Sequence, residues 1–182
     1  MKELSLNILD IAGNSIKAGA AHVRILIDET EDTFALCIED DGCGMTAEQV
    51  KNVTDPFFTT RTTRKVGLGI PFLKLAAEQT GGTFGIESDT SPEAHGTKTR
   101  ATFIKSSIDF TPLGDIISTV TTLIQGSPNM DWYFCHTFGS STVCVDTEEI
   151  RAVLGEDVPL DNYEVIKWIA ASMQEEYDTF NI

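Results

Sequence analysis

The stretch Asp10-Ile11-Ala12-Gly13-Asn14-Ser15-Ile16-Lys17-Ala18-Gly19-Ala20 lies near the start of the 182-residue chain and decides the predicted fold. Apolar residues at helical spacing within and before it predict an amphipathic helix over residues 3–17. Asn7, Asp10, Asn14 and Lys17 form a polar stripe on that helix, and Gly19 ends it. Taken alone, such a polar stripe is usually only a solvated surface.

Working outward from this helix, alternating apolar residues predict two strands over 21–28 and 33–39. The glycine-rich stretch Asp41-Gly42-Cys43-Gly44-Met45 follows, and Thr46 is placed to cap a short helix that ends at Val53. Residues 54–66 have no regular period and carry three basic residues, which predicts a basic loop. Gly67-Leu68-Gly69-Ile70 opens a second helix that runs to about Gln79. Two more strands, over 83–88 and 98–105, complete this part.

The charge of the chain is divided unevenly. Thirteen Lys and Arg residues stand against 28 Asp and Glu residues, so the net charge is −15, of which −4 falls in residues 1–107 and −11 in residues 108–182. The second part is predicted to form a helix over 115–125, a hairpin over 132–146 and helices over 146–154 and 162–177. We therefore expect two domains, 1–107 and 108–182, with any anionic ligand bound by the first.

The turn Gly139-Ser140 fixes the register of the predicted hairpin. A two-residue turn pairs Phe138 with Ser141, so that Cys135 faces Cys144. The opposite face, which carries Phe134, Val143 and Val145, is then the predicted core side. Cys135 and Cys144 can form a cross-strand disulfide under oxidation. Reduced thiols are nevertheless expected, because no signal peptide and no CxxC pair is found in the sequence.

The composition excludes several classes of protein. A sequence pI near 4.4 argues against general binding to nucleic acid or to an anionic membrane. No apolar run approaches the roughly 18 residues that a membrane-spanning helix needs. Neither the cysteine spacing nor the three histidines offers a familiar zinc ligand set. We therefore expect a cytoplasmic protein.

Five motifs occur in one order along residues 3–105: residues 10–20, Asp41–Met45, Asp55-Pro56-Phe57-Phe58-Thr59-Thr60, Gly67–Ile70 and Gly96-Thr97. They resemble the N box, DxGxG box, F box, GLGL box and terminal GT element of the GHKL ATPase superfamily, which includes gyrase, the heat-shock chaperone, histidine kinases and MutL. The resemblance implies an α+β Bergerat-type fold, a two-layer α/β sandwich in which helices cover one face of a mixed sheet. The resemblance does not extend to residues 108–182, which are expected to form a small acidic α/β appendage.

The resemblance also implies a site for ATP and Mg²⁺. Asp10 is expected to orient the attacking water as a general base, and Asn14 to ligate Mg²⁺ beside Lys17. Asp41 is expected to accept a hydrogen bond from the adenine amine, with Gly42 and Gly44 allowing close approach of the backbone. Residues 46–66 correspond to the ATP lid. The other expected nucleotide contacts are Met45, Phe58, Thr60, Arg61, Lys65, Gly67, Leu68, Gly69 and Thr97.

Two functions remain open from the sequence. The first is a stand-alone kinase or ATPase subunit that acts on a separate protein, since no phosphoacceptor helix precedes the N box and all three histidines are interpreted as structural. The second is an ATP-driven conformational switch or binding module, similar to MutL, that hydrolyses ATP slowly and transfers no phosphate. The expected partner is a protein substrate or regulator, with a homodimer left open and neither nucleic acid nor membrane expected. Deleting residues 108–182 is expected to spare nucleotide binding.

Overall fold

A computed structural model describes residues 3–54, 68–155 and 158–180. Within these ranges the helices and strands follow the order predicted from the sequence, and Thr46 caps its helix as expected. The elements are α1 (Leu4–Lys17), β1 (His22–Glu29), β2 (Thr33–Asp40), α2 (Ala47–Val53), α3 (Gly69–Gln79), β3 (Phe84–Asp89), β4 (Gly96–Ile104), α4 (Ile116–Gly126), β5 (Asp131–Phe138), β6 (Ser141–Asp146), α5 (Thr147–Leu154) and α6 (Tyr163–Tyr177).

The strands form one mixed sheet in the order β3-β4-β2-β1-β5-β6. β1 runs parallel to β5, and the other neighbouring pairs are antiparallel. Alternate strand residues are buried beneath a helix layer in which α1 lies between α3 and α4, and α6 packs on the far side of α4. This arrangement confirms the predicted α+β, Bergerat-type fold. Among the described helices, none is long and apolar enough to cross a membrane.

The residues beyond position 107 extend the same sheet. β5 pairs along the whole of β1, from His22 opposite Asp131 to Glu29 opposite Phe138. The first turn of α1 is also tied to this part of the chain, because the N–H groups of residues 4 and 5 donate to the carbonyls of residues 112 and 113 at 2.9 and 2.8 Å. Buried residues from both parts form one hydrophobic cluster. The described residues therefore share one core across position 107, and the division into two functional domains stays a prediction.

The hairpin of β5 and β6 has the predicted register. Phe138 pairs with Ser141 and Cys135 with Cys144, while Val143 and Phe134 are buried on the opposite face. The structure joins the two cysteines in a disulfide, where reduced thiols were expected. The Cα atoms of Cys135 and Cys144 are 4.2 Å apart, the close spacing of a non-hydrogen-bonded antiparallel pair, which brings the two side chains together.

A buried polar cluster links β1, β5 and the end of α6. Glu29 is 8% exposed, and its carboxylate accepts hydrogen bonds from the Lys105 ammonium at 2.5 Å and from the His136 Nε2 position at 3.1 Å. The other ring nitrogen of His136 lies 2.9 Å from the hydroxyl of Tyr177, and burial raises the pKa of that hydroxyl. Burial alone raises the pKa of Glu29, but the bonds from His136 and Lys105 outweigh it and lower the pKa below the usual carboxyl range.

This cluster predicts an acid-dependent loss of stability. Because the pKa of Glu29 is lower in the folded chain than in the unfolded one, its contribution is present above the ordinary carboxyl range and is lost as the pH falls through the folded pKa. Glu29→Gln should lower the free energy of unfolding at pH 7 by about 1.5–3 kcal/mol and flatten its fall between about pH 5 and 3. Urea denaturation across this pH range measures both effects. An unchanged pH profile would contradict the assignment.

Candidate nucleotide-binding site

A cavity of about 340 Å³ lies between α1, the loop that follows β2, and β4. α1 contributes Asn14 and Lys17, which are three residues apart and therefore lie on one side of the helix. Apolar side chains from four elements form most of its wall, and one carboxylate, that of Asp40, lies among them. The lining residues are Ile11, Asn14, Lys17, Ala18, Ile38, Asp40, Cys43, Gly44, Met45, Val53, Ile70, Thr97 and Thr99.

The carboxylate in the cavity belongs to Asp40, not to the predicted Asp41. Asp40 Oδ2 accepts a hydrogen bond from the Ser15 hydroxyl at 2.6 Å, and Oδ1 accepts one from the Gly42 N–H at 3.0 Å. These two bonds fix the orientation of the side chain and leave acceptor positions for a ligand. Sequence reasoning missed Asp40, although the spacing D-x-G-x-G, with glycines at 42 and 44, begins at this residue.

Asp41 lies outside the cavity and makes its contacts with the start of β1. Its carboxylate accepts from the N–H groups of Ala21 and His22 at 2.7 and 2.9 Å, and its second oxygen lies 2.7 Å from the His22 ring. Burial raises the pKa of Asp41, but the bonds from His22 and Ala21 outweigh it and lower the pKa. The structure therefore gives Asp41 the role of fixing the loop to β1, and Gly42 packs against Ala18 behind that loop.

The loop after Asp41 is anchored by Ser88 of β3, a residue that the motifs do not contain. The Ser88 hydroxyl accepts from the Met45 N–H at 2.8 Å, lies 2.8 Å from the Thr97 hydroxyl and donates to the Gly96 carbonyl at 2.8 Å. Gly44 has a φ of +69°, and a Cβ at this position would overlap the carbonyl of Asp89. Glycine is therefore required at this position, and the bond to Ser88 holds Met45 at the cavity wall.

Asp10 lies next to the start of α3 rather than in the cavity wall. It is exposed, and a Cβ added to Gly69 would come 2.8 Å from the Asp10 Cβ, so the first turn of α3 lies directly against this part of α1. Leu68, which precedes α3, is 45% exposed. The N-terminus of α3 is thus close to the polar stripe of α1, where its free N–H groups favour an anion.

The predicted site residues fall into three groups. Asn14, Lys17, Gly44, Met45 and Thr97 line the cavity, whereas Asp10, Asp41, Gly42, Leu68 and Gly69 adjoin it without being part of its wall. Phe58, Thr60, Arg61, Lys65 and Gly67 lie outside the described residues. The apolar wall formed by Ile11, Ile38, Val53 and Ile70 was not predicted, because its members come from four separate elements.

Comparisons with known proteins identify the family of the first part of the chain. Residues 2–107 match the family model described as "Histidine kinase-, DNA gyrase B-, and HSP90-like ATPase". The sensor protein SrrB of Staphylococcus aureus is 31% identical over 94 residues, a match that covers 49% of this chain and 16% of SrrB. The chain thus corresponds to only a small part of that relative.

Two solved structures have a similar fold. The N-terminal domain of a DNA repair protein matches with a TM-score of 0.59 at 14% identity, over 86% of this chain and 58% of that one. The Aquifex aeolicus MutL ATPase domain complexed with ADP matches with a TM-score of 0.56 at 11% identity, over 85% and 69%. Both likenesses cover more of the chain than residues 2–107 and concern the fold alone. From the family match, the chain belongs to the histidine kinase-, DNA gyrase B- and HSP90-like ATPase family.

Proposed function

We propose that this chain binds Mg·ATP in the cavity beside α1 and acts as a kinase or ATPase on a separate protein. The observation that carries the proposal is the composition of the cavity, which places one oriented carboxylate, Asp40, among apolar walls and an amide and an ammonium group, Asn14 and Lys17, on α1. Adenine has a flat ring with apolar faces and an exocyclic amine at its edge, and a triphosphate needs cationic and metal partners. The side chains of the cavity therefore suit both the adenine and the triphosphate of ATP.

The adenine half is assigned to Asp40 instead of Asp41. The Asp40 carboxylate accepts from Ser15 and Gly42 on the protein side, and its remaining lone pairs are suited to the adenine amine, which guanine lacks at that position. Ile38 and Ile70 offer apolar contacts to the ring. Gly44 keeps the loop backbone close to this wall.

The phosphate half is assigned to α1 and the N-terminus of α3. The amide oxygen of Asn14 is a hard ligand of the kind that Mg²⁺ accepts, and Lys17 offsets phosphate charge on the same side of the helix. When bound, Mg²⁺ supplies charge neutralisation to the phosphate oxygens. We assign the holding and deprotonation of an attacking water to Asp10, which lies one turn before Asn14 and against Gly69. The lid contacts proposed for Phe58, Thr60, Arg61 and Lys65 rest on the motif resemblance.

The environments of the three histidines support a target for phosphate transfer other than these side chains. His22 is held by Asp41, the His95 ring lies 2.9 Å from the Gly42 carbonyl, and His136 is bonded to Glu29 and Tyr177. Each ring therefore has a structural partner, which argues against a phosphoacceptor role within the described residues. A cytoplasmic location is part of the same proposal.

The alternative is a nucleotide-driven switch that hydrolyses ATP without transferring phosphate. It is favoured by the likeness to the MutL ATPase domain, which covers 85% of this chain and was solved with ADP. Incubation of the chain and a candidate protein substrate with γ-labelled ATP separates the two functions. Label on the substrate supports the kinase, and free phosphate alone supports the switch. If calorimetry detects no ATP binding with Mg²⁺ present, both are wrong.

Substitutions at Asp10 and Asn14 should separate hydrolysis from binding. We expect Asp10→Asn to keep ATP affinity within about twofold and to lower turnover on the order of 10²-fold, because a positioned general base is lost. Asn14→Ala, one turn further along α1, should instead weaken binding with Mg²⁺ present and have little effect with EDTA. Phosphate release and calorimetry measure these effects. Wild-type turnover in Asp10→Asn would show that Asp10 has no role in hydrolysis and is only a surface residue.

A further inference from the structure

A second concavity lies at the opposite edge of the sheet from the nucleotide cavity, between α5 and α6. This α5–α6 groove has a volume of about 590 Å³. Its floor is formed by Val145 of β6 and Ile169 of α6, both buried, and its walls by apolar residues of the two helices. The lining residues are Cys144, Val145, Asp146, Glu149, Ile150, Val153, Leu154, Trp168, Ile169 and Ser172.

Two large apolar side chains in the walls of the groove are open to solvent. Val153 of α5 is 86% exposed and Trp168 of α6 is 57% exposed. Single exposed apolar residues are ordinary, but here two of them face one apolar depression from neighbouring helices. Tryptophan is also among the residues most enriched at the energetic centres of interfaces. The groove therefore has the features of an interaction surface.

The groove lies in an acidic region of the chain. Residues 146–178 contain ten acidic residues and two basic ones, Arg151 and Lys167. The Arg151 guanidinium is bonded to the Asp131 carboxylate and to the carbonyls of Pro128 and Met130, so its charge is already compensated. Glu149 is exposed in the wall of the groove itself. An apolar depression with an acidic rim is complementary to a segment that is apolar on one side and cationic on the other.

We propose that the α5–α6 groove binds a Lys- and Arg-rich amphipathic helix of a partner protein. The eight residues of α5 extend over about 12 Å, which matches roughly two turns of a bound helix with apolar anchors at positions i, i+3 or i+4, and i+7. A second copy of this chain is the less favourable occupant, because a symmetric contact would bring two acidic rims together. The proposal does not depend on the nucleotide site.

The test uses a 14-residue Leu/Lys peptide with leucines at helical spacing as the probe. We expect the full chain to bind it with a blue shift of Trp168 emission, since Trp132 is 3% exposed and already shielded. Val153→Ser should weaken binding at least tenfold. Ile108→Ser, an equally conservative change at a 99% exposed position outside the groove, should have no effect. Glu149→Gln should weaken binding and reduce its salt dependence.

Several outcomes would overturn the proposal. Equal binding of a scrambled peptide of the same composition would show charge attraction without a groove. Equal binding of the corresponding Leu/Glu peptide would remove the role of the acidic rim. Unchanged affinity in Val153→Ser would show that the peptide binds elsewhere. If sedimentation detects a concentration-dependent dimer and Val153→Ser abolishes it, the occupant of the groove is a second copy of the chain.

Discussion

Asp40→Asn should lower the affinity for ATP by roughly 10- to 150-fold, the equivalent of losing a hydrogen bond of about 1.5–3 kcal/mol to a charged group. The substitution keeps the size of the side chain but replaces a carboxylate oxygen with an amide that donates instead of accepting. The Ser15 hydroxyl and the Gly42 N–H would then compete with adenine for the single remaining oxygen. Isothermal calorimetry with Mg·ATP measures the effect.

The neighbouring residue provides a matched control. Asp41→Asn also replaces a carboxylate oxygen with an amide NH₂ group, one position further along the chain. The Asp41 side chain, however, contacts Ala21 and His22 and does not line the cavity. We expect ATP affinity in Asp41→Asn to stay within about threefold of the unsubstituted chain. A larger loss in Asp41→Asn than in Asp40→Asn would return the adenine contact to Asp41.

Truncation after residue 107 should abolish cooperative unfolding and, with it, nucleotide binding. The shortened chain would lose β5, which pairs along all of β1, and α4, which covers α1 through buried residues such as Ile116 and Val120. The core side chains that would be lost, exposed or left without partners are each worth about 1.5–3 kcal/mol when fully buried, and several of them together are comparable with the 5–15 kcal/mol that stabilises a typical domain. Circular dichroism during heating and calorimetry with ATP measure the two losses.

This expectation replaces the one drawn from the sequence, in which deletion of residues 108–182 spares nucleotide binding. A single substitution tests the packing of residues 108–182 against the core without shortening the chain. Phe134→Ala should destabilise the full chain by about 3–5 kcal/mol, because Phe134 is 1% exposed. Thr142→Ala, at an exposed position of β6, serves as the control. A truncated chain that melts cooperatively and binds ATP would show that residues 1–107 are a separate domain.

The sequence was sufficient where structure depends on neighbouring residues. The helix over 4–17 follows from apolar spacing, the Thr46 cap from its side chain, and the pairing of Cys135 with Cys144 from the length of one turn. The sequence also contained enough information to predict that Asp40, and not Asp41, faces the cavity. Phe34, Leu36 and Ile38 alternate toward the helix layer, and continuing that alternation by two residues leads to Asp40.

Other features could not be predicted from the sequence because they join distant parts of the chain. Nothing in the local pattern of β5 specifies that it lies parallel to β1, and the apolar wall of the nucleotide cavity combines residues from α1, β2, α2 and α3. The α5–α6 groove also depends on tertiary packing, since α5 and α6 are each amphipathic without indicating what their apolar sides meet. Such features follow from burial of the whole core rather than from propensity.

The parallel pairing of β1 with β5 has a consequence for how the protein is made. His22 is separated from its partner Asp131 by 109 positions, so β1, near the centre of the sheet, stays unpaired on one side until residues 131–138 have been synthesised. Contacts of such long range slow folding because a large loop must close first. The nucleotide-binding half therefore leaves the ribosome before it can complete its core, and during synthesis its unpaired strand edge is a target for chaperones or for aggregation.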